Sequence, residues 1–143
     1  MIIDTTYILP LAGIAVKTDL LRAIAENLLE EIDFGDLKVS LVSILELQAK
    51  ASRLNVPPSR VYKAIDVIFR SLEVVPFYRR GIIEKAHELR KYPLEYVDRV
   101  ILATAISLGE DLATEDSRIL SIRRFVKKEY GVRVVTYDEL VCR

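Results

Sequence analysis

The 143 residues are 51% hydrophobic and 29% charged, the balance of an ordinary globular chain long enough to bury a core, and not of a disordered one. Lys and Arg together number 21, as do Asp and Glu, so no overall field marks the chain as a polyanion binder. With one cysteine, Cys142, and one histidine, His87, the composition excludes an internal disulfide and a Cys/His zinc site, and the lone histidine, far from any obvious nucleophile, argues against a nucleophile–histidine triad.

In chain order, MIID opens with an apolar run ending in an acid, as a first buried strand would. The uncharged stretch TTYILPLAGIAV (5–16) is too short to span a bilayer and follows Asp4 instead of a basic segment. A cytoplasmic protein with no signal peptide and no membrane contact is therefore expected. Thr18 and Asp19 precede LLRAIAENLLEEI (20–32), whose apolar residues return at helical spacing, and Gly35 and Asp36 break that helix. LKVSLVS (37–43) is a second strand candidate and ILELQAKASRL (44–54) a helix. Pro57 and Pro58 open a further helix, SRVYKAIDVIFRSL (59–72), with proline at the position a helix start tolerates.

LEVVPF (72–77) predicts a third strand, stopped at Pro76, and a charged helix is expected over 79–91, with His87 on its surface. Pro93 leads into YVDRVILATAISLG (96–109), a helix that Gly109 would end. DLAT (111–114) is a fourth strand, SRILSIRRFVKKEY (117–130) a helix, and VRVVTY (132–137) a fifth strand. There is no internal repeat and no long linker, so residues 1–143 are expected to form a single domain. Strands alternating with helices imply an α/β fold, a three-layer α/β/α sandwich around a central five-stranded parallel sheet.

Sheets of this kind bind ligands beyond the carboxyl ends of their strands, where the topology changes direction. Asp4 ends the first strand, Glu46 lies about a turn into the helix after the second, Asp98 is early in the 96–109 helix, and Asp116 follows the fourth strand. All four belong to that edge. Asp98 is flanked at helical spacing by Leu94, Glu95, Ile101 and Leu102, and Glu46 by Val42, Ser43, Ala49 and Lys50; an acid beside an apolar stripe is the informative kind of exception. Each acid also has a plain structural use. Asp116 suits an N-cap worth about 1 kcal/mol, Asp98 complements a helix dipole, Glu46 has the spacing to pair with Lys50, and Asp4 could cap the turn after its strand.

Together the four are costly. Two carboxylates about 4 Å apart repel by roughly 4 kcal/mol at an effective dielectric near 20, and several such pairs rival the roughly 5–15 kcal/mol that holds a domain together. The cluster must share protons or hold a cation, and oxygen donors without His or Cys select a hard ion, Mg²⁺ or Mn²⁺.

The chain resembles the PIN-domain ribonucleases, in particular the compact VapC-type toxins of prokaryotic toxin–antitoxin pairs. IIDTTYIL carries Asp4 in the metal-ligand place and Thr6 where a supporting Ser, Thr or Asn usually stands. SLVSILELQAK places Glu46, YVDRVILATAISLG places Asp98, and LATEDSRIL supplies Thr114 and Asp116. All four motifs occur in order across nearly the whole chain. The resemblance implies Mg²⁺- or Mn²⁺-dependent endoribonuclease activity, with Asp4, Asp98 and Asp116 as principal ligands, Glu46 binding the metal directly or through water, and Thr6 and Thr114 holding the carboxylates in position. It also implies a homodimer and an antitoxin partner whose C-terminal segment fills the acidic groove.

Peripheral acids are ranked lower. Glu95 lies a turn before Asp98, and strand alternation turns Glu115 outward to the surface. Asp33, Asp36, Asp66, Asp111 and Asp138 fall at loops or the opposite edge. Candidate RNA contacts are Arg99 and Arg118, with Arg123, Arg124, Lys127, Lys128, Arg79 and Arg80 behind them, although charged helix faces are usually just solvated.

Rival readings have identifiable gaps. A dehalogenase-type phosphatase wants a second Asp two residues after the first, where this chain has Thr6; the five scattered glycines make neither a GxGxxG nor a P-loop. A catalytically silent PIN-fold adaptor would usually have lost an acid. A housekeeping RNA-processing nuclease would share every residue named here.

Overall fold

Ile2 and Ile3 are both fully buried but belong to different cores, because successive residues of a strand face opposite sides of a sheet. That alternation organises the computed structural model, which describes residues 1–141; Cys142 lies outside them. Five short parallel strands, β1 (Ile2–Ile3), β2 (Lys38–Ser40), β3 (Glu73–Val75), β4 (Leu112–Ala113) and β5 (Val134–Val135), lie in the order β3-β2-β1-β4-β5. One layer holds a 3₁₀ segment (Thr5–Ala12), α1 (Leu20–Ala25), α2 (Leu41–Arg53) and α3 (Pro58–Ser71). Its core includes Ile3, Tyr7, Ile24, Val39, Leu47, Ile68 and Ala113. The other layer holds α4 (Arg80–Glu88), α5 (Tyr96–Leu108), α6 (Ser117–Ser121) and α7 (Arg123–Tyr130), packed with Ile2, Val75 and Leu112. The expected three-layer α/β/α sandwich with a five-stranded parallel sheet is the fold.

The chain runs β1, β2, β3 towards one side of the sheet, then returns to place β4 and β5 on the other side of β1. The switch point is therefore between β1 and β4, and Asp4 and Thr114 follow those two strands directly. None of the helices among the described residues is long and apolar enough to cross a membrane.

Several boundaries differ from the sequence reading. The helix expected over 20–32 stops at Ala25, because Asn27 adopts the left-handed conformation (φ 56°) and Leu28 N–H donates back to Ala23 O at 2.9 Å. The second strand is cut short at Ser40, whose hydroxyl accepts from Val42 N–H and starts α2 three residues earlier than expected. The apolar 5–12 stretch winds into a 3₁₀ segment. The charged helix ends its α-helical part at Glu88 and continues as 3₁₀ turn Leu89–Lys91. The 117–130 helix is two helices meeting at Ile122, and a helix not anticipated, α8 (Tyr137–Val141), closes the described chain. The 96–109 helix is as expected, with Gly109 left-handed at φ 63° after its last turn.

Candidate metal centre

A cleft of about 300 Å³ opens at the carboxyl edge of β1 and β4, and its walls include Asp4, Thr5, Thr6, Glu46, Asp98, Glu115 and Asp116. Each acid arrives on a different support. Asp4 terminates β1 and caps the 3₁₀ segment, its Oδ1 accepting from Thr5 N–H at 2.7 Å. Glu46 comes from the second turn of α2, Asp98 from the first turn of α5, and Asp116 from the residue that caps α6.

Asp4 is 8% exposed and the most enclosed of the four. Its Oδ2 accepts from the Thr114 hydroxyl at 2.5 Å. Burial nevertheless pushes its carboxyl up to about 6; the bonds from Thr114 and Thr5 pull downward, and the charges of Glu46 and Asp116 push upward. Asp98, half-buried, is pushed up to about 7, first by desolvation and then by Asp116, Asp4, Glu46 and Glu95. These mutual effects show that acids separated by up to 112 positions share one electrostatic environment.

The plain structural uses and the clustering coexist. Asp116 does cap α6, but a single oxygen, Oδ1, accepts from both Arg118 N–H (2.9 Å) and Ile119 N–H (3.1 Å), which leaves Oδ2 without a cap duty. Thr114 links two acids, since its Oγ1 donates to Asp4 and accepts from Asp116 N–H at 3.0 Å. Glu46 makes no ion pair with Lys50 among the described residues; its Oε1 accepts from the Thr5 hydroxyl at 2.5 Å.

Three placements depart from the sequence reading. The hydroxyl that reaches Glu46 is that of Thr5, while Thr6 lines the same cleft. Glu115 turns inward: its Oε2 accepts from the buried Tyr7 hydroxyl and from Tyr137 N–H at 2.9 Å, because the strand ends at Ala113 and alternation no longer governs it. Arg99 and Arg118 do not line the cleft. Arg99 Nε is buried without a hydrogen-bond partner, and Arg118 reaches Glu95 at 3.4 Å. The cations on the wall are Lys50 and Arg53 of α2; the sequence suggests Lys50 only as an ion-pair partner of Glu46 and Arg53 not at all, although both stand on Glu46's helical face.

The donor set suits a hard divalent cation, with oxygen atoms alone and carboxylates whose charge burial makes unfavourable without a counter-ion. Among the described residues no three His, Cys, Asp or Glu side chains stand close enough to enclose an ion as they are. The acids line a cleft and do not form a cage. Mg²⁺, which usually keeps several of its waters and can be reached by carboxylates through them, fits such a site better than an ion needing a full cage of protein ligands.

The sequence matches the PIN domain family over residues 1–125, most of the chain. The protein belongs to the PIN domain family. No curated protein matches this PIN domain in sequence. Its fold is that of several solved structures. A toxin–antitoxin complex from Klebsiella pneumoniae is 20% identical with a TM-score of 0.64, the match covering 95% of this chain and 96% of that one. FitAcB from Neisseria gonorrhoeae is 16% identical with a TM-score of 0.65, at 95% and 96% coverage. VapBC-5 from Mycobacterium tuberculosis, of the VapBC family of toxin–antitoxin systems, is 15% identical with a TM-score of 0.63, at 94% and 96%. At these identities the likeness is one of fold, and the PIN domain's chemistry rests on its own residues.

Proposed function

We propose that this PIN domain is a Mg²⁺- or Mn²⁺-dependent endoribonuclease, a hydrolase of RNA phosphodiester bonds, acting in the cytoplasm as the toxin of a toxin–antitoxin pair, with residues 1–143 as one domain. The observation that carries the reading is the meeting of Asp4, Glu46, Asp98 and Asp116 on one cleft at the sheet's switch point. PIN domains are in general nucleases, which favours hydrolysis over binding alone.

Asp4, Asp98 and Asp116 would hold the ion, with Glu46 reaching it directly or orienting a water from the α2 side. A bound divalent ion would supply Lewis-acid stabilisation of the charge that builds on the phosphoryl oxygens. The chain's own task is orientation. Thr114 fixes the Asp4 carboxylate and, through its bond from Asp116 N–H, the start of the loop that carries the Asp116 side chain. Thr5 restrains Glu46 through its hydroxyl. Held in this way, carboxylates lose little freedom when an ion arrives.

The toxin assignment is supported by structural neighbours that are toxin–antitoxin complexes. As the resemblance implies, an antitoxin segment would fill the acidic cleft itself, over Asp4, Glu46, Asp98 and Asp116. The exposed apolar side chains Tyr62, Val67 and Phe69 on α3 are in keeping with a homodimer.

The test is digestion of single-stranded RNA with Mg²⁺ or Mn²⁺ and analysis of the product ends. Cleavage abolished by EDTA and by Asp98→Asn is the expected result. Full activity under either condition would remove the metal mechanism, and intact RNA under all conditions would leave the silent adaptor as the reading.

A further inference from the structure

Lys50 and Arg53 line the acidic cleft, and neither forms an ion pair among the described residues. Both are solvent-exposed. Residues 46, 50 and 53 recur at the four- and three-residue steps that keep side chains on one helical face. A rise of about 1.5 Å per residue sets Arg53 about 10 Å along α2 from Glu46.

Other uses of this pair of cations are weaker. The Glu46–Lys50 spacing would serve a helix-stabilising ion pair, but Glu46 is engaged by Thr5. Cations in the last turns of α2 do favour its dipole, by no more than about 1 kcal/mol at exposed positions, and that role does not require them to face the cleft. Leu9 of the 3₁₀ segment forms part of the same lining, so the cations share one cleft with the acids.

We propose that Lys50 and Arg53 bind the backbone phosphates flanking the scissile one, so that α2 guides a single RNA strand across the acidic cleft. This inference rests on the reading of the cleft as an RNA-cleaving site. Offsets along α2 of about 6 Å for Lys50 and about 10 Å for Arg53 place these contacts beside the cleaved bond, not on it. An acidic centre repels the strand it must cut, and cations on its wall offset that repulsion without neutralising the ion ligands. Phosphate contacts position a strand without reading bases, so these two residues would add affinity and register and no sequence preference.

The experiment measures binding of an unstructured polyuridine oligonucleotide across a salt series, with Mg²⁺ present, in the Asp98→Asn protein that does not consume it. Lys50→Gln/Arg53→Gln in that background should weaken binding and flatten the plot of log K against log salt by about 1.4, from about 0.7 for each lost phosphate contact on a single strand. Lys50→Arg/Arg53→Lys should restore the slope, and the melting temperature should be unchanged in both. An unchanged slope and affinity in the Gln variant would overturn the proposal while leaving wild-type cleavage intact. No binding by the parent would also overturn it. Salt-dependent binding through these residues, without cleavage by the wild type, would sustain the phosphate contacts along α2 and sink the nuclease reading together with the scissile position assigned beside them.

Discussion

Thr114 and Asp4, 110 residues apart in the chain, are joined by a 2.5 Å hydrogen bond from the threonine hydroxyl to Asp4 Oδ2. The bond crosses from β4 to β1 at the point where the sheet changes direction, and the same hydroxyl accepts from Asp116 N–H. Thr114→Val keeps the volume and removes both interactions. It should lower activity or metal affinity by about 10–100-fold and cost about 1–3 kcal/mol of stability. Metal titration and denaturant unfolding measure the two effects; wild-type values would show that the hydroxyl merely fills space.

Without metal, the carboxylates should make stability depend on pH in an unusual direction. Asp4 rises from 3.8 to about 6 and Asp98 from 3.8 to about 7. Both folded values lie above the unfolded ones, so the stability they contribute is fully present below about pH 4 and is lost as pH rises through about 6 and 7. At roughly 1.4 kcal/mol per unit, Asp4 alone accounts for about 3 kcal/mol. In EDTA, the gap in melting temperature between Asp4→Asn/Asp98→Asn and wild type should therefore widen from pH 4 to pH 8. A gap that is constant with pH would contradict the burial and, behind it, the mutual repulsion that raise these carboxyls.

Divalent ions should reverse that cost. Mg²⁺ is expected to raise the wild-type melting temperature, more at pH 8 than at pH 5, since the ligands must be deprotonated to bind it. Asp4→Asn/Asp116→Asn should melt above wild type in EDTA and gain little from Mg²⁺. Asparagine is the right replacement because it still caps α6. A double variant stabilised by Mg²⁺ as much as wild type would place the ion elsewhere.

Tyr7 and Glu115 make a different kind of contact. Tyr7 is fully buried, and its hydroxyl donates to a carboxylate that also accepts from Tyr137 N–H at the start of α8. Tyr7→Phe removes a bond to a charged group, worth roughly 1.5–3 kcal/mol. A melting temperature lower by several degrees is expected, and protease sensitivity should rise first in α8, which loses part of its tether to the cleft. An unaltered melting temperature would show that Glu115 is satisfied without Tyr7.

The residue pattern alone was enough for the layered fold and for the four acids. Apolar runs of strand length, ended by Asp4 and by the residues before Asp116, alternate with amphipathic helices, and that alternation admits few topologies besides a covered parallel sheet. Composition limited which ion the proposed site could hold, since one His and one Cys cannot supply a nitrogen- or sulfur-rich ligand set. What depended on three dimensions was which neighbours serve the acids. Thr5 rather than Thr6 meets Glu46 because the chain after β1 turns as a 3₁₀ segment, a winding that apolar spacing does not announce. Glu115 turns inward because β4 ends two residues before it. Lys50 and Arg53 look like any solvated helix face until α2 is packed beside the 3₁₀ segment. Local periodicity determines an element and its buried side; only the packing of distant elements decides what each exposed side chain faces.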